Sequence, residues 1–258
     1  MERLILIETS TALCSTALAE NGAVVAYRES SAPKAHASLT AVFIQEMLSE
    51  RNISLSDCDA VCVSMGPGSY TGLRVGVSTA KGLCFGSGKP MIAVGTLDTL
   101  VAQAADEVRN DIMAAVPKEV DKNPTYKYII PMIDARRMEV YTAIFAHDTG
   151  HSDLSSEDSY PIKEWKRATD TTPTVIDENS FAEYLELGPC LFIGDGAGKC
   201  SDIIRHPNAH FRQCHPKASA MLAPALEAYK EQRFEDVAYF EPFYLKEFVA
   251  TVSKKKLF

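Results

Sequence analysis

The sequence predicts a two-domain α/β protein in which helices pack against mixed β-sheets. The chain opens with three strand patterns in succession, and helical and strand patterns alternate after them. A leading run of three antiparallel strands differs from a plain Rossmann order, in which the first strand leads directly to a helix. With 258 residues, 46% of them hydrophobic, the chain is long enough for two modest cores.

The first half of the chain carries the clearest patterns. Asn21-Gly22 separates two β-type runs, and this dipeptide favours a tight hairpin because both residues tolerate positive φ. Apolar residues at helical spacing then predict a helix over residues 35–51. The predicted elements are strands at 3–8, 14–20, 23–29, 60–64 and 91–94, and helices at 35–51, 72–86 and 96–108.

The second half is patterned less clearly. Residues 109–125 are polar, carry Pro117 and Pro124, and suggest a connection between domains. We expect strands at 128–134, 139–146 and 190–193, mostly surface over 147–178, and a helix over 218–230 that is interrupted at Pro224. The expected domains are residues 1–105 and 106–258, with the helix near 218–232 packing back on the first domain.

Composition narrows the classes of partner and compartment. The formal net charge of −8 repels phosphate, so we expect weak RNA binding by the chain alone, with residues 254–256 (three lysines) as the one exception. Seven scattered cysteines without a C-x-x-C pair favour a reducing, cytoplasmic setting. The apolar run at 4–7 is too short for a signal sequence or a membrane span.

A glycine-rich loop, residues 66–72, lies between a predicted strand and a predicted helix. Backbone N–H groups of Gly66, Gly68 and Ser69 there could bind an anion at the helix N-terminus. The alternative, slightly favoured by spacing alone, is a tight turn whose glycines serve positive φ and close packing. No Walker loop and no G-x-S-x-G nucleophile elbow is present in the sequence.

Two further segments are weak nucleotide-binding candidates. Glu8 ends the first strand beside Thr9 and Ser10, where a carboxylate could hold a magnesium–phosphate group or simply accept turn hydrogen bonds; the two readings are evenly balanced. Asp195 and Gly196 follow a later strand in a glycine cluster, for which a structural turn is the favoured interpretation.

We expect no metal site. The sequence places His206, His210, Cys214 and His215 close together, but Pro207 prevents a helix that would align the first two histidines. Surface histidines are the favoured interpretation. No convincing set of nucleophile, base and metal ligands emerges, which argues against a self-sufficient enzyme.

Several motifs together resemble one family. They are the opening ILIETS with CSTAL, the MGPGSYTGLRVG stretch at 65–76, DARRMEVY at 134–141 and EPFYLK at 241–246. This set closely resembles the TsaB family, formerly called YeaZ. The resemblance is strong over residues 1–105 and patchy afterwards. It implies an ASKHA (actin/Hsp70/sugar-kinase-like) fold with two related domains of mixed β-sheet flanked by helices.

The resemblance also implies a function. It points to a non-catalytic subunit that supports tRNA threonylcarbamoyladenosine synthesis with the related transferase TsaD and the ATPase TsaE, meeting tRNA only through that complex. TsaD carries a metal-binding H-x-x-x-H; here His36 is followed four residues on by Thr40, so the resemblance implies no metal. It implies no cofactor for this chain alone, and leaves room for ATP or ADP at a partner interface. A small-molecule kinase or hydrolase of the same fold is the rival class.

The sequence departs from the family at Glu8, where Asp is usual, and its turn Thr9-Ser10-Thr11 lacks the glycine of nucleotide-binding relatives.

The resemblance further implies that the helices at 35–51 and 72–86 dock on TsaD, or on a second copy when TsaD is absent. The helix at 35–51 has two apolar faces, Leu39, Phe43 and Met47 on one and Ala41, Ile44 and Leu48 on the other. The alternative is that these faces and the small stripe Gly72, Gly76 and Ala80 are covered internally. The expected interface residues are His36, Leu39, Thr40, Phe43, Gly72, Leu73, Gly76 and Ala80.

Overall fold

The computed structural model describes residues 2–114, 126–148 and 165–246. Two β-sheets dominate it. The first has strand order β3-β2-β1-β4-β5, and β1, β2 and β3 form the predicted antiparallel meander. Asn21 and Gly22 join β2 to β3 with positive φ values of 49° and 81°. The strands are β1 (Arg3–Glu8), β2 (Cys14–Glu20), β3 (Ala23–Ser30), β4 (Ala60–Gly66) and β5 (Met91–Gly95).

Three helices belong to the first half: α1 (Ala35–Glu50), α2 (Tyr70–Ser87) and α3 (Thr96–Ala114). α1 and α2 cover one face of the first sheet. Their inward side chains join Ile5, Ile7 and Leu18 in a common core, because strand residues alternate between the two faces. The α-helical contributors to this core are Ile44, Met47, Val77, Ala80 and Cys84.

The second sheet repeats the order of the first. Its main path is β10-β7-β6-β11-β12, with β7 antiparallel to both β6 and β10 and with β6, β11 and β12 parallel. β8 and β9 extend it beside β6. The strands are β6 (Tyr128–Asp134), β7 (Glu139–Thr142), β8 (Phe145–His147), β9 (Trp165–Arg167), β10 (Thr172–Val175), β11 (Cys190–Gly194) and β12 (Ala209–Gln213).

In the second half of the described residues there are three shorter α-helices: α4 (Ala182–Leu187), α5 (Ala197–Ser201) and α6 (Leu222–Lys230). α3 packs on the second sheet through Leu97, Leu100 and Val101. A 3-10 helix, Ala218–Met221, and α6 return to the face of the first sheet opposite α1 and α2, where they bury Leu4 and Leu6. The first sheet is thereby covered on both faces.

Several element boundaries differ from the sequence predictions. α3 continues to Ala114, into the segment predicted as a connection; residues 115–125 lie outside the described residues. The predicted strand at 139–146 is two strands, because at Ile144 the chain leaves β10 and bonds Thr169 and Ala168 beside β9.

The segment at 147–178, predicted as mostly surface, contains β9 and β10, while residues 149–164 lie outside the described residues. Pro224 does not interrupt a helix. It lies in the first turn of α6, where no N–H is required of it, and the change of helix type comes before it, at Met221.

Candidate functional site

The turn between β1 and β2, Thr9-Ser10-Thr11, was the first candidate for phosphate binding. In the structure this turn is buried, with Thr9 0%, Ser10 1% and Thr11 4% exposed. The Glu8 carboxylate beneath it accepts a hydrogen bond from the Ser10 N–H at 2.7 Å. The turn is therefore packed inside the chain.

The glycine-rich loop lies directly on this turn. The Ser69 N–H donates to the Ser10 carbonyl at 2.6 Å. A Cβ on Gly68 would lie 2.3 Å from the same carbonyl oxygen, far inside van der Waals contact. The glycine is needed because two backbones approach closely here, which is the packing interpretation of the loop.

Two backbone N–H groups at the N-terminus of α2, those of Ser69 and Gly72, have partners within the chain. Ser69 caps the helix by accepting a hydrogen bond from the Gly72 N–H at 3.3 Å. Gly66, at the end of β4, has φ 109°. The backbone of Phe243 approaches it closely, because a Cβ on Gly66 would lie 2.9 Å from the Phe243 carbonyl oxygen. The structure thus brings Glu8, Thr9, Ser10, Gly66, Gly68 and Ser69 together, but as a closed packing unit. This geometry supports the packing interpretation of the loop, which the spacing slightly favoured, over phosphate binding.

Glu8 is a fully buried carboxyl group at the end of β1. Its Oε2 is buried without a hydrogen-bond partner among the described residues. Desolvation by burial raises the pKa of Glu8 to about 7, against hydrogen bonds from Ser10, Ser64 and Thr9 that lower it. The carboxyl group is held in the core, and its protonation state affects the stability of the turn above it.

Asp195 and Gly196 belong to the second sheet and do not join the Glu8 group. The Asp195 carboxylate accepts a hydrogen bond from the Asp134 N–H at 2.9 Å, and the Gly196 N–H donates to Met132 at 3.0 Å. Burial raises the pKa of Asp195, and the Asp134 N–H partly offsets this. Both residues tie β11 to β6, which supports the structural turn that the sequence favoured over a nucleotide contact.

The second sheet has its own version of the strand-end turn. Asp134 ends β6 as Glu8 ends β1, and Gly194 at the end of β11 has positive φ as Gly66 has at the end of β4. Here an internal cation occupies the turn. The Lys199 ammonium donates to Asp134 at 2.5 Å, to the Arg137 carbonyl at 2.8 Å and to the Glu139 carbonyl at 2.7 Å.

His36 and Thr40, the positions compared with a metal-binding pair, serve packing. The His36 Nε2 lies 2.9 Å from the Thr11 carbonyl oxygen and so secures the buried turn. Thr40 is 1% exposed, donates to the His36 carbonyl at 2.6 Å and lies 3.3 Å from the Cys14 sulfur. Thr40 is core, and its assignment to a partner interface was wrong.

The small-residue stripe of α2 faces inward. A Cβ on Gly72 would lie 2.1 Å from the Thr9 carbonyl oxygen, and one on Gly76 2.2 Å from Thr9 Oγ1. Leu73 and Ala80 are fully buried. The placement of Gly72, Leu73, Gly76 and Ala80 on an open docking face is therefore corrected. A Gly76→Leu variant would test packing rather than docking.

α1 is also oriented differently from the two-face prediction. Ile44 and Met47 share the buried face with Thr40, and Ala41 is exposed. Leu39 and Phe43 remain partly exposed, while Val42 is 42% exposed. Helical periodicity shows that a helix has two apolar sides, but it does not show which one meets the sheet.

The open side of α2 carries a second small stripe. Ser78, Gly82 and Gly86 are exposed at four-residue spacing, and a Cβ on either glycine would meet no atom within 4 Å. Phe85 on the same side is 88% exposed. We call Ser78, Gly82, Phe85 and Gly86 the outer face of α2. Sequence reasoning missed it because two small stripes run along this helix and the tertiary fold alone decides which is buried.

The C-terminal strap, residues 240–246, crosses from one half of the chain to the other. The Phe243 N–H donates to the Met65 carbonyl at 2.7 Å, and Tyr244 packs on Tyr70 with ring centroids 4.9 Å apart. Further along, the Lys246 ammonium pairs with Glu139 of β7. The strap closes the loop after β4 and holds it to the second sheet.

The predicted histidine group has separate partners. His206 accepts from the Asn208 N–H at 3.1 Å, His210 packs edge-on against Tyr126, and His215 lies 4.0 Å from Asp195. Within residues 2–114, 126–148 and 165–246 no group of three or more potential ligand side chains is placed to hold a metal ion. In the same ranges, every helix is too short or too polar to cross a membrane.

The sequence is similar to those of known proteins over nearly its whole length. The tRNA threonylcarbamoyladenosine biosynthesis protein TsaB of Escherichia coli K12 is 30% identical over 251 residues, which cover 96% of each chain. The chain belongs to the TsaB family. A family model described as TsaD, tRNA N6-adenosine threonylcarbamoyltransferase, matches residues 29–253 of this TsaB-family chain.

One further protein is similar to a short segment of the sequence, and another has a similar fold. A tRNA N6-adenosine threonylcarbamoyltransferase of Clostridium botulinum is 42% identical over 67 residues, 26% of this chain and 20% of the transferase. YeaZ from Pseudomonas aeruginosa, 24% identical, superposes with a TM-score of 0.74 over 95% of this chain and all of YeaZ. With the repeated strand order, this confirms the predicted ASKHA fold.

Proposed function

We propose that this TsaB-family chain is a non-catalytic subunit in tRNA threonylcarbamoyladenosine biosynthesis that binds and activates the TsaD transferase. Family membership supports the pathway, because the TsaB relatives are named for that biosynthesis. The local 42% identity to a transferase supports shared ancestry with the proposed partner. TsaE is the proposed third component, and tRNA is met through the assembled complex.

The observation that carries the non-catalytic role is the closed turn at Thr9-Ser10-Thr11. Gly68 and Gly72 place the loop and the first turn of α2 within contact of the turn carbonyls, so no space for a phosphate remains between them. A kinase of this fold would need that space open and a carboxylate that reaches solvent. Here Glu8 is 0% exposed, which disfavours the kinase alternative.

The surface that supports binding is the outer face of α2. An exposed glycine stripe permits close approach of another helix, and the neighbouring Phe85 would lose its water-exposed apolar area on association. α1 lies beside α2 and adds the exposed Val42. In the absence of the transferase, the same face would bring two copies of this chain together about a two-fold axis.

Two measurements on the purified chain test the proposal. Size-exclusion chromatography with light scattering should show a complex with TsaD, and a coupled ATPase assay should show no turnover above background for the chain alone. Robust ATP hydrolysis that survives repeated purification would favour the kinase or hydrolase alternative. Failure to associate with TsaD at micromolar concentrations would reject the subunit role.

A further inference from the structure

The hairpin between β6 and β7 has an unusual tip. Arg136 and Arg137 are consecutive, both exposed, and have φ values of 67° and 49°. Glycine and asparagine adopt this left-handed conformation readily, whereas other residues with a Cβ rarely do. Two arginines in such positions oppose the local backbone preference, which indicates that their side chains serve a purpose other than forming the turn.

Among the described residues, the acidic side chains near the hairpin tip pair with groups other than Arg136 and Arg137. The two nearest acids are already engaged, Asp134 by Lys199 and Glu139 by Lys246. A third, Asp195, faces the Asp134 N–H and His215. Among the described residues, no carboxylate lies within 4.0 Å of the Arg136 or Arg137 guanidinium. Within residues 2–114, 126–148 and 165–246, a chain of net charge −8 thus presents two arginines here that no carboxylate pairs.

The C-terminal strap connects the hairpin to a pair of aromatic rings. The strap carries Tyr244 two positions before Lys246, so their Cα atoms are at most about 7 Å apart. Lys246 contacts the base of the hairpin at Glu139, and Tyr244 packs on Tyr70 at 4.9 Å with an interplanar angle of 38°. The Arg74 guanidinium lies 5.5 Å from the centroid of the Tyr70 ring. The strap therefore connects the base of the hairpin with the Tyr70–Tyr244 pair and Arg74.

We propose that Arg136 and Arg137, with Arg74 and the Tyr70–Tyr244 pair, form a binding site for RNA. The arginines would contact backbone phosphates. The Tyr70 ring already packs on Tyr244 and lies under Arg74, so the side of the Tyr244 ring away from Tyr70 would be the surface on which an unpaired base stacks. An acidic protein segment would use the same arginines but has no need of the aromatic pair. Naming RNA as the polyanion rests on the proposed function.

The test uses the purified full chain, so that it does not depend on the transferase. Fluorescence anisotropy with a labelled tRNA transcript would be recorded at low ionic strength, about 20 mM, and over a salt series. The variant R136N/R137G replaces both arginines with residues that suit positive φ. The control R205Q/R233Q removes the same charge from exposed arginines after α5 and α6.

We expect R136N/R137G to bind tRNA at least roughly fivefold more weakly than the wild type, with a salt slope lower by about one to two. Its thermal midpoint should rise, because the new residues fit the backbone. The control should change affinity by less than about twofold at equal net charge. If R136N/R137G is more stable than the wild type and binds tRNA more weakly, then Arg136 and Arg137 serve binding and not folding.

Three outcomes would overturn the inference. The first is equal loss of affinity in variant and control, which would reduce the effect to net charge. The second is the absence of any tRNA binding by the wild type at low salt. The third is unchanged tRNA affinity with lost association to TsaD, which would make the hairpin a protein contact. Wild-type association with TsaD, measured separately, decides the proposed function whichever of these is found.

Discussion

Gly72 faces Thr9 so closely that a Cβ on the glycine would lie 2.1 Å from the Thr9 carbonyl oxygen. This contact explains why glycine occupies position 72 in the first turn of α2. It also closes the turn Thr9-Ser10-Thr11, so that no space for a phosphate remains beside Gly72. The glycine-rich loop at residues 66–72, which suggests anion binding in the sequence, therefore serves packing in the structure.

Gly72→Ala should destabilise the chain by about 1–3 kcal/mol, because the added methyl group meets a backbone oxygen that cannot rotate away. Gly82→Ala on the same helix should stabilise it by roughly 0.5–1 kcal/mol, since a Cβ there meets open space and alanine favours the helix. Urea denaturation monitored by circular dichroism would measure both. Equal effects of the two substitutions would contradict the inward orientation of Gly72.

Glu8 makes stability depend on pH. Its pKa is raised to about 7 in the folded chain, so the folded state binds the proton more tightly than the unfolded state. The stability contributed by the Glu8 proton is complete below the unfolded pKa of about 4.3 and is lost as pH rises through the folded pKa of about 7. The total change is about 4 kcal/mol.

The matched control is Glu8→Gln, which keeps the acceptor for the Ser10 N–H but does not titrate. Denaturation curves at about pH 5 and about pH 8 should show the wild type losing stability relative to the variant. The comparison cancels groups that titrate in both proteins. Parallel pH dependence of the two proteins would show that Glu8 is not a buried, proton-binding group.

Lys199 holds the turn of the second sheet through three acceptors. Lys199→Met should cost about 2–3 kcal/mol, because a carboxylate and two carbonyls lose a charged donor. Lys166→Met is the control: that lysine is 73% exposed and pairs only at the surface with Asp148, so it should cost less than about 1 kcal/mol. Thermal denaturation would compare them, and similar costs would reject the structural role of Lys199.

The sequence predicted the architecture where local chemistry decides it. Asn21-Gly22 can be recognised as a hairpin without tertiary information, and so can the helical spacing of α1 and α2. β9 and β10 were missed because short, largely exposed strands lack the alternation of a half-buried strand. The helix break near Pro224 was misplaced because proline in a first turn and proline in a helix interior look alike in sequence.

The site was predicted less well than the fold. Glu8, Gly68 and Ser69 do come together, as the motif suggests, but whether a glycine makes room for a phosphate or for a backbone depends on where the chain returns. Likewise, Gly76 and Gly82 occupy one helix at opposite faces. Only the position of Thr9 determines that the first is core and the second is open.

We propose that this chain works by binding the transferase through the outer face of α2. Gly82→Leu would place a branched side chain where a partner helix must approach, while the open space around Gly82 lets the chain fold. Glu183→Leu on exposed α4 and Gly82→Ala serve as controls for added apolar surface and for helix propensity.

The deciding measurement is the Kd of the chain for TsaD by isothermal titration calorimetry, with folding verified by circular dichroism. We expect wild type, Gly82→Ala and Glu183→Leu to bind alike, and Gly82→Leu to bind at least roughly a hundredfold more weakly, a change of about 2.7 kcal/mol. A folded Gly82→Leu variant with wild-type affinity would contradict the claim.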